Sequence, residues 1–276
     1  MEQSRATSLP FTLLALLAAF VMALPMLWML STAFKPAGEY VSTGITLLPQ
    51  APTLEHFIAV LGEQDLPGKL LNSVIVTMGA TLLALLAGFP AAYALVRLNL
   101  PARLDTIFLV FVLVIKLVPP LALAVPLYQV LRAIGLLDTL AGLILTYQVY
   151  TLPMAIWLLL GFVRDVPIAY EEAARIDGAG LVRRLTTIVL PVMAPGIGAA
   201  TILLAILAWN EFTYALLFIQ SPDKFTLPVY VAGLITEDET FWGRLSAIGL
   251  IGSLPLIATL ALFQKYLLRG LVGGLK

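Results

Sequence analysis

Runs of apolar residues dominate the chain, and six are long enough to cross a hydrocarbon layer, which takes about 20 helical residues. They run from Phe11 to Phe34, Val74 to Val96, Leu104 to Leu127, Leu140 to Val163, Ile197 to Ile219 and Leu245 to Leu268. Strand-like alternation is missing from these runs, so the pattern predicts helices and excludes a β-barrel. The first run is too long for a signal-peptide core, lacks an Ala-x-Ala site near its end and continues through Trp28, so it is expected to stay as a span. Prolines interrupt several spans: Pro119-Pro120 in the third, Pro153 in the fourth and Pro255 in the sixth. Each removes an intrahelical hydrogen bond, and each predicts either a plain kink or, best at Pro119-Pro120, a broken helix beside a wet pathway.

Polar residues collect between the spans. Lys35 to Leu71 forms a long segment in which Thr53 is placed to cap a short helix with Leu54, Phe57, Ile58 and Leu61 on one face. That face suits the bilayer surface, the other spans, a docked partner or a lid over the outer mouth. The second polar segment, residues 164–196, is about thirty residues long, which is unusual for a bare connection. In it, Asp165 and Pro167 predict a helix start, and Ala169, Ala173, Ile176 and Leu181 predict an apolar line. Glu171, Glu172 and Arg175 are expected to face outward. Gly178 ends the first helix, Asp177 is placed to cap a second from about Gly180 to Val189, and Pro191 ends that one. The expected product is a helix-turn-helix under the membrane. It can lie on lipid or dock a protein, and the adjacent carboxylates disfavour anionic headgroups.

Lysine and arginine placement sets the orientation. Ten (Arg5, Arg97, Arg103, Arg164, Arg175, Arg183, Arg184, Lys265, Arg269, Lys276) fall on one side and five (Lys35, Lys69, Arg132, Lys224, Arg244) on the other, leaving Lys116 within a span. Both termini and the Glu172 loop are therefore expected in the cytoplasm.

Composition agrees: 61% of the residues are hydrophobic and 12% charged, where a soluble domain carries about a quarter charged. The absence of cysteine excludes disulfides and thiolate metal sites, and His56 alone cannot build a histidine metal centre, so no metal or catalytic residue is expected. No Gly-x-x-x-x-Gly-Lys-Ser/Thr phosphate loop is present, so any ATP hydrolysis belongs to another polypeptide.

The loop carries a family resemblance. Glu172-Ala173-Ala174, three residues, Gly178, nine residues, Ile188, one residue, Leu190-Pro191 is similar to the EAA loop of ABC importer permeases. Over nearly the whole chain the sequence resembles the MalG-type carbohydrate permeases, the binding-protein-dependent inner membrane components. Asn72-Ser73, Ala92-Tyr93-Ala94-Leu95-Val96-Arg97, Pro126-Leu127-Tyr128, Trp209-Asn210-Glu211-Phe212 and Arg269-Gly270-Leu271 support it, and the tail Gly273-Gly274-Leu275-Lys276 departs from it. The resemblance implies an all-α integral membrane protein: one permease domain over 1–276 with its core at 72–268, six spans in the type I importer fold, and a coupling helix between spans 4 and 5. It implies that Glu171, Glu172, Ala173, Ala174, Asp177, Gly178, Ile188, Leu190 and Pro191 engage a cytoplasmic ATPase. The implied partners are a second, MalF-like permease, two ATPase subunits that hold ATP and magnesium, and a solute-binding protein. No nucleic acid is implied, and the setting is a bacterial or archaeal cytoplasmic membrane.

Lys116 and Glu211 are ionisable groups inside spans, costing at least ~2.5 kcal/mol each if unpaired at a helix centre. They are expected to pair, either in one state of a transport cycle or permanently. Tyr147, Gln148 and Asn210 can offer hydrogen bonds to a polyol, or serve as interhelical contacts. Sugar import is the leading reading, with glycerol-phosphate or another solute as the alternative. An ATP-independent transporter with a Lys116–Glu211 proton relay is weaker because no internal repeat is visible. An intramembrane peptidase built on Glu171-Glu172 lacks the later histidines it needs.

Overall fold

The computed structural model describes residues 3–40, 46–63, 66–98, 103–235 and 241–273, without the side chains of 3–10, 40, 63, 104–105, 116 and 265–273. Every longer element among them is a helix. Four helices are each long and apolar enough to cross a membrane, and two bent pairs bring the number to six. The chain divides into two compact units, Met1–Pro67 with Val231–Ser253, and Gly68–Tyr230 with Leu254–Lys276.

In the first unit, the span Gln3–Ala33 presents an almost wholly exposed apolar surface from Phe11 to Leu30. The segment after it is tied down by polar contacts. The buried Lys35 ammonium donates to the Thr46 carbonyl and sits 4.7 Å from the Trp28 ring centroid, and Ser31 Oγ donates to the Leu47 carbonyl at 2.6 Å. Thr53 Oγ1 accepts from the Glu55 N–H at 3.1 Å, in line with the expected cap. The helix it opens, Glu55–Ile58 continuing as a π turn Ala59–Glu63, leaves most of the expected apolar face open, with Phe57 half-buried against Phe34 at 5.0 Å between ring centroids. His56, Ala59 and Val60 are inside, whereas Leu54, Ile58 and Leu61 are exposed. His56 decides this: its Nε2–H bonds the Lys35 carbonyl at 2.8 Å, and its ring fills the space where a side chain on Gly243 would be.

In the second unit, the span Leu66–Arg97 is a single helix through Pro90. The third run is two helices, Leu104–Leu117 and Pro120–Ala133, meeting at 98°, where one span over Leu104 to Leu127 is expected. A residue before proline is pushed to extended backbone. Val118 (ψ 125°) and Pro119 (ψ 137°) both obey, and Pro120 opens the new helix, where its missing N–H costs nothing. The fourth run, Leu140–Thr146 with Gln148–Asp165, bends by 46° at Tyr147, ahead of Pro153. The fifth is one helix from Leu181 to Trp209, followed by a short helix Thr213–Phe218. The sixth, Trp242–Gly273, belongs to the first unit up to Ser253 and to the second from Leu254.

Small residues bring the spans of this unit together, as expected where lipid is as apolar as leucine. A Cβ on Gly88 would lie 2.9 Å from that of Ala155, and one on Gly196 would overlap the Phe162 ring. Among the buried clusters that result, two are the larger. One gathers Ala92, Tyr93, Leu159, Val163, Val189 and Met193 at the end of the spans nearest the polar loop. The other gathers Val76, Leu131, Leu143, Tyr147, Tyr214 and Phe218.

Candidate functional site

The loop between the fourth and fifth spans forms the expected helix-turn-helix, with several of its parts reassigned. Its first helix is Ile168–Ile176, opened by Pro167 without a side-chain cap, because Asp165 belongs to the last turn of the preceding span. Gly178 adopts φ +76° and ends the helix, while the Ala179 N–H closes back on the Ala174 carbonyl at 2.9 Å. Asp177 occupies the C-terminal cap of that helix, and Gly180, not Asp177, precedes the next.

Pro191 does not end the second helix. Leu181–Arg184 runs through a π turn, Leu185–Val189, straight into the fifth span. The π turn is the physical reason. Proline lacks the N–H that an α-helix needs four residues on, and here the Leu190 N–H reaches back to the Leu185 carbonyl instead. Thr186 and Thr187 hydroxyls take the neighbouring carbonyls of Val182 and Arg183 at 2.9 and 2.7 Å. Ile188 and Leu190 are half-buried along this stretch, and Pro191 is exposed.

Burial divides the loop helix in a way the sequence does not suggest. Glu171 was expected to face outward and is buried, as is Ala174 one turn on. Glu171 accepts from Tyr93 Oη at 2.5 Å and pairs with Arg97 Nε at 2.7 Å. Arg97 Nη2 also donates to the Val166 carbonyl at 2.5 Å. Burial of a carboxylate is tolerable only with such partners, since an unpaired one is expelled or neutralised. Tyr93 and Arg97 lie one turn apart on the second span, so both reach the same acceptor. Glu172, Ala173, Arg175 and Asp177 are exposed, together with Ile168, Tyr170, Ile176 and Val182. The apolar line expected at Ala169, Ala173, Ile176 and Leu181 is thus on the surface; Ile176 is 87% exposed.

A second group of polar residues lies inside the spans. Glu211 accepts the Tyr214 and Ala215 N–H groups at 2.9 and 3.2 Å, capping the helix Thr213–Phe218. A helix that starts partway along a span has N–H groups with no water to turn to, and Glu211 supplies their acceptor. The expected partner, the Lys116 side chain, lies outside the described residues. The Tyr147 hydroxyl is beside the Glu211 carboxylate without a hydrogen bond of ordinary geometry. Tyr150 stacks on Tyr214 at 6.4 Å and meets Tyr147 at 5.6 Å, forming an aromatic row that sequence reading did not single out.

Gln148 donates to the carbonyls of Ala80 and Ile144 at 3.2 and 2.9 Å. Its Oε1 and the hydroxyls of Tyr147 and Tyr150 are buried with no hydrogen-bond partner. Gln148 is also the polar residue in the lining of an apolar groove of about 410 Å³, shared by the broken third span and the fourth. Asn210 is exposed and turns its amide back onto the Ile206 carbonyl at 2.8 Å. The structure therefore places Tyr147 beside Glu211, turns Gln148 to the groove of the third and fourth spans, and gives Asn210 a local bond.

A third site was not anticipated. Asp138, in the turn before the fourth run, has φ +57° and accepts from the N–H groups of Gln220 and Ser221 at 2.9 and 3.0 Å. It also accepts from the Ser221 hydroxyl and from Lys224 Nζ at 3.2 Å. The Ser221 hydrogen bonds, hydroxyl first, hold its carboxyl well below the usual carboxylate range. Asn72 Nδ2 donates to the Asp223 and Phe225 carbonyls at 2.8 and 3.1 Å, so the 219–225 turn is fastened from two sides.

Residues 80–273 match the family described as binding-protein-dependent transport system inner membrane component. The chain belongs to this family. A relative from Agrobacterium fabrum, the sulfoquinovosyl glycerol transport system permease protein, is 37% identical over 91% of this chain and 88% of its own. The trehalose/maltose transport system permease protein of Thermococcus litoralis is 35% identical over 94% and 93%. Among solved structures, a chain of a bacterial ABC transporter involved in import of the acidic polysaccharide alginate superposes with a TM-score of 0.78, covering 97% of this chain and 98% of that one. At 21% identity, that likeness establishes the shared fold. The chain is thus a multi-pass permease of the ABC importer type, and the EAA spacing from Glu172 to Pro191 lies within the matched region.

Proposed function

We propose that this chain is one of two permease subunits in an ATP-driven sugar importer. The observation carrying the reading is the division of the loop helix: Glu171 and Ala174 anchor it inward, and Ile168, Glu172 and Ile176, spaced four apart, form an exposed apolar and acidic face. A water-exposed face of this kind on an otherwise anchored helix suits a soluble partner with a cleft. The proposed partner is a cytoplasmic ATPase subunit, which binds ATP and magnesium and performs the hydrolysis. Both termini then lie in the cytoplasm, and a solute-binding protein delivers the cargo on the opposite side.

Sugar is the cargo class supported by the permeases named above. Tyr147 and Gln148, with their unpartnered polar atoms, are the residues proposed to meet a hydroxylated solute, with Lys116, Asn210 and Glu211 along the same route. The test is reconstitution with the second permease, the ATPases and the binding protein, followed by uptake of maltose, trehalose and alginate oligosaccharides into vesicles. Uptake of at least one is expected to need both ATP and the binding protein. Uptake that persists with hydrolysis-dead ATPases refutes the reading and favours an ATP-independent carrier.

A further inference from the structure

The chain itself joins the loop helix to two spans: to the fourth through Val166-Pro167, and to the fifth through the uninterrupted helix from Leu181. The second span has no such covalent connection. It is joined to the loop through side chains, by Tyr93 Oη and Arg97 Nε on the Glu171 carboxylate. Arg97 adds the Val166 carbonyl, so one guanidinium ties together the ends of the second and fourth spans and the first turn of the loop helix. The ion pair is shielded, with 12% of the Arg97 side chain and 4% of the Glu171 side chain exposed. In such a site the attraction is screened little by salt, and separation leaves a charge buried alone.

We infer that Tyr93, Arg97 and Glu171 form a transmission latch that makes the loop helix and the second span move as one body. Glu171 is a positioning residue in this scheme. It meets its own permease, whereas its neighbour Glu172, fully outward, is left for the ATPase. A push on the exposed loop face then reaches the second span directly as well as the fifth. This rests on the proposed function for the source of the push, and only the geometry above supports the route.

The test uses the complete importer complex carrying Glu171→Gln, Tyr93→Phe, or the paired exchange Arg97→Glu with Glu171→Arg. Two quantities are read: ATP hydrolysed per sugar imported, and the distance between spin labels at Leu86→Cys and Ala169→Cys. The chain has no cysteine of its own, and both positions are exposed. In the unaltered latch, the label distance is expected to stay the same between nucleotide-free and ATP–vanadate-trapped complexes. With Glu171→Gln it should shift or broaden by more than about 2 Å on trapping, the scale of helix shifts in switching transitions. ATP used per sugar should rise at least about fivefold, with assembly retained. The charge exchange rebuilds the ion pair but not the Arg97 hydrogen bond to the Val166 carbonyl, so it should restore both readouts in part.

A brace that merely helps folding would lower the yield of complex and leave both readouts unchanged in what assembles. That result for Glu171→Gln overturns the inference. If Glu171→Gln fails to assemble, Tyr93→Phe, which removes one hydroxyl and keeps the ring, carries the same two expectations. A complex that hydrolyses ATP and imports none of the sugars refutes the function reading, and the label distance still decides the latch.

Discussion

Replacing Glu211 separates two roles for a carboxylate inside a span. As a cap, it accepts two backbone N–H groups at 2.9 and 3.2 Å. Hydrogen bonds to a charged group contribute about 1.5–3 kcal/mol each, so Glu211→Ala should cost on the order of 3–6 kcal/mol locally. Glu211→Gln keeps one acceptor oxygen but only a neutral bond of about 0.5–1.5 kcal/mol, so it should cost about three quarters of that. Each 1.4 kcal/mol is a factor of ten, so the Tyr214 and Ala215 amides should exchange with deuterium on the order of a hundredfold faster or more in the alanine variant. The assay is hydrogen exchange on the purified protein in detergent, read by mass spectrometry on the peptide covering the helix Thr213–Phe218. Lys116→Met should leave those amides untouched. If instead the pairing with Lys116 dominated, Gln and Ala would be equally damaging and Lys116→Met would match them. Protection in Glu211→Ala within a factor of about three of the unaltered protein would refute the capping argument.

Other outcomes follow from the same contacts. Gly196→Ala drives a Cβ into the Phe162 ring and should cost about 1–3 kcal/mol in thermal unfolding, with Phe162→Leu restoring most of it. Ile176→Asp, on the exposed loop face, should weaken ATPase co-purification at least about tenfold while the permease stays folded, a loss of about 1.4 kcal/mol. Asp138 has a carboxyl held low in the folded protein, so its contribution is present above the unfolded value near 4 and is lost as pH falls through the lower folded value. The 219–225 turn should therefore remain protected from hydrogen exchange at pH 4, where Asp138→Asn is already open.

Much of this molecule could be read from periodicity. Apolar runs announced the spans, Gly178 marked the loop turn by its need for positive φ, and Pro119-Pro120 marked a break because each proline forces its predecessor to be extended. The failures share a cause. Pro191 looks like a helix end, yet a π turn lets the chain skip one hydrogen bond and continue; the threonines at 186 and 187 were the visible hint. Glu171 looks like the twin of Glu172. Its burial depends on Tyr93 and Arg97, far away in sequence, and side-chain pairing at that distance leaves no local trace. Asp138 was invisible for the same reason. His56 gave no signal of its own: its buried contact with the Lys35 carbonyl sets which side of the outer helix turns inward, while Leu54, Ile58 and Leu61 keep an exposed apolar face.

The continuity of the loop with the fifth span has a mechanical consequence. The helix from Leu181 to Trp209 is 29 residues, a rod about 44 Å long at 1.5 Å per residue. A tilt of roughly 10° about one end would carry the other by about 8 Å, more than the width of a sugar ring's approach to a side chain. The rod stops at Asn210, where the short helix capped by Glu211 begins, so its far tip abuts a separate piece of chain rather than bending into it. A stiff shaft with a break at its tip would carry a displacement of a few ångströms at Leu181 to Trp209 without losing it to bending, and would enlarge it if the pivot lay close to the Leu181 end.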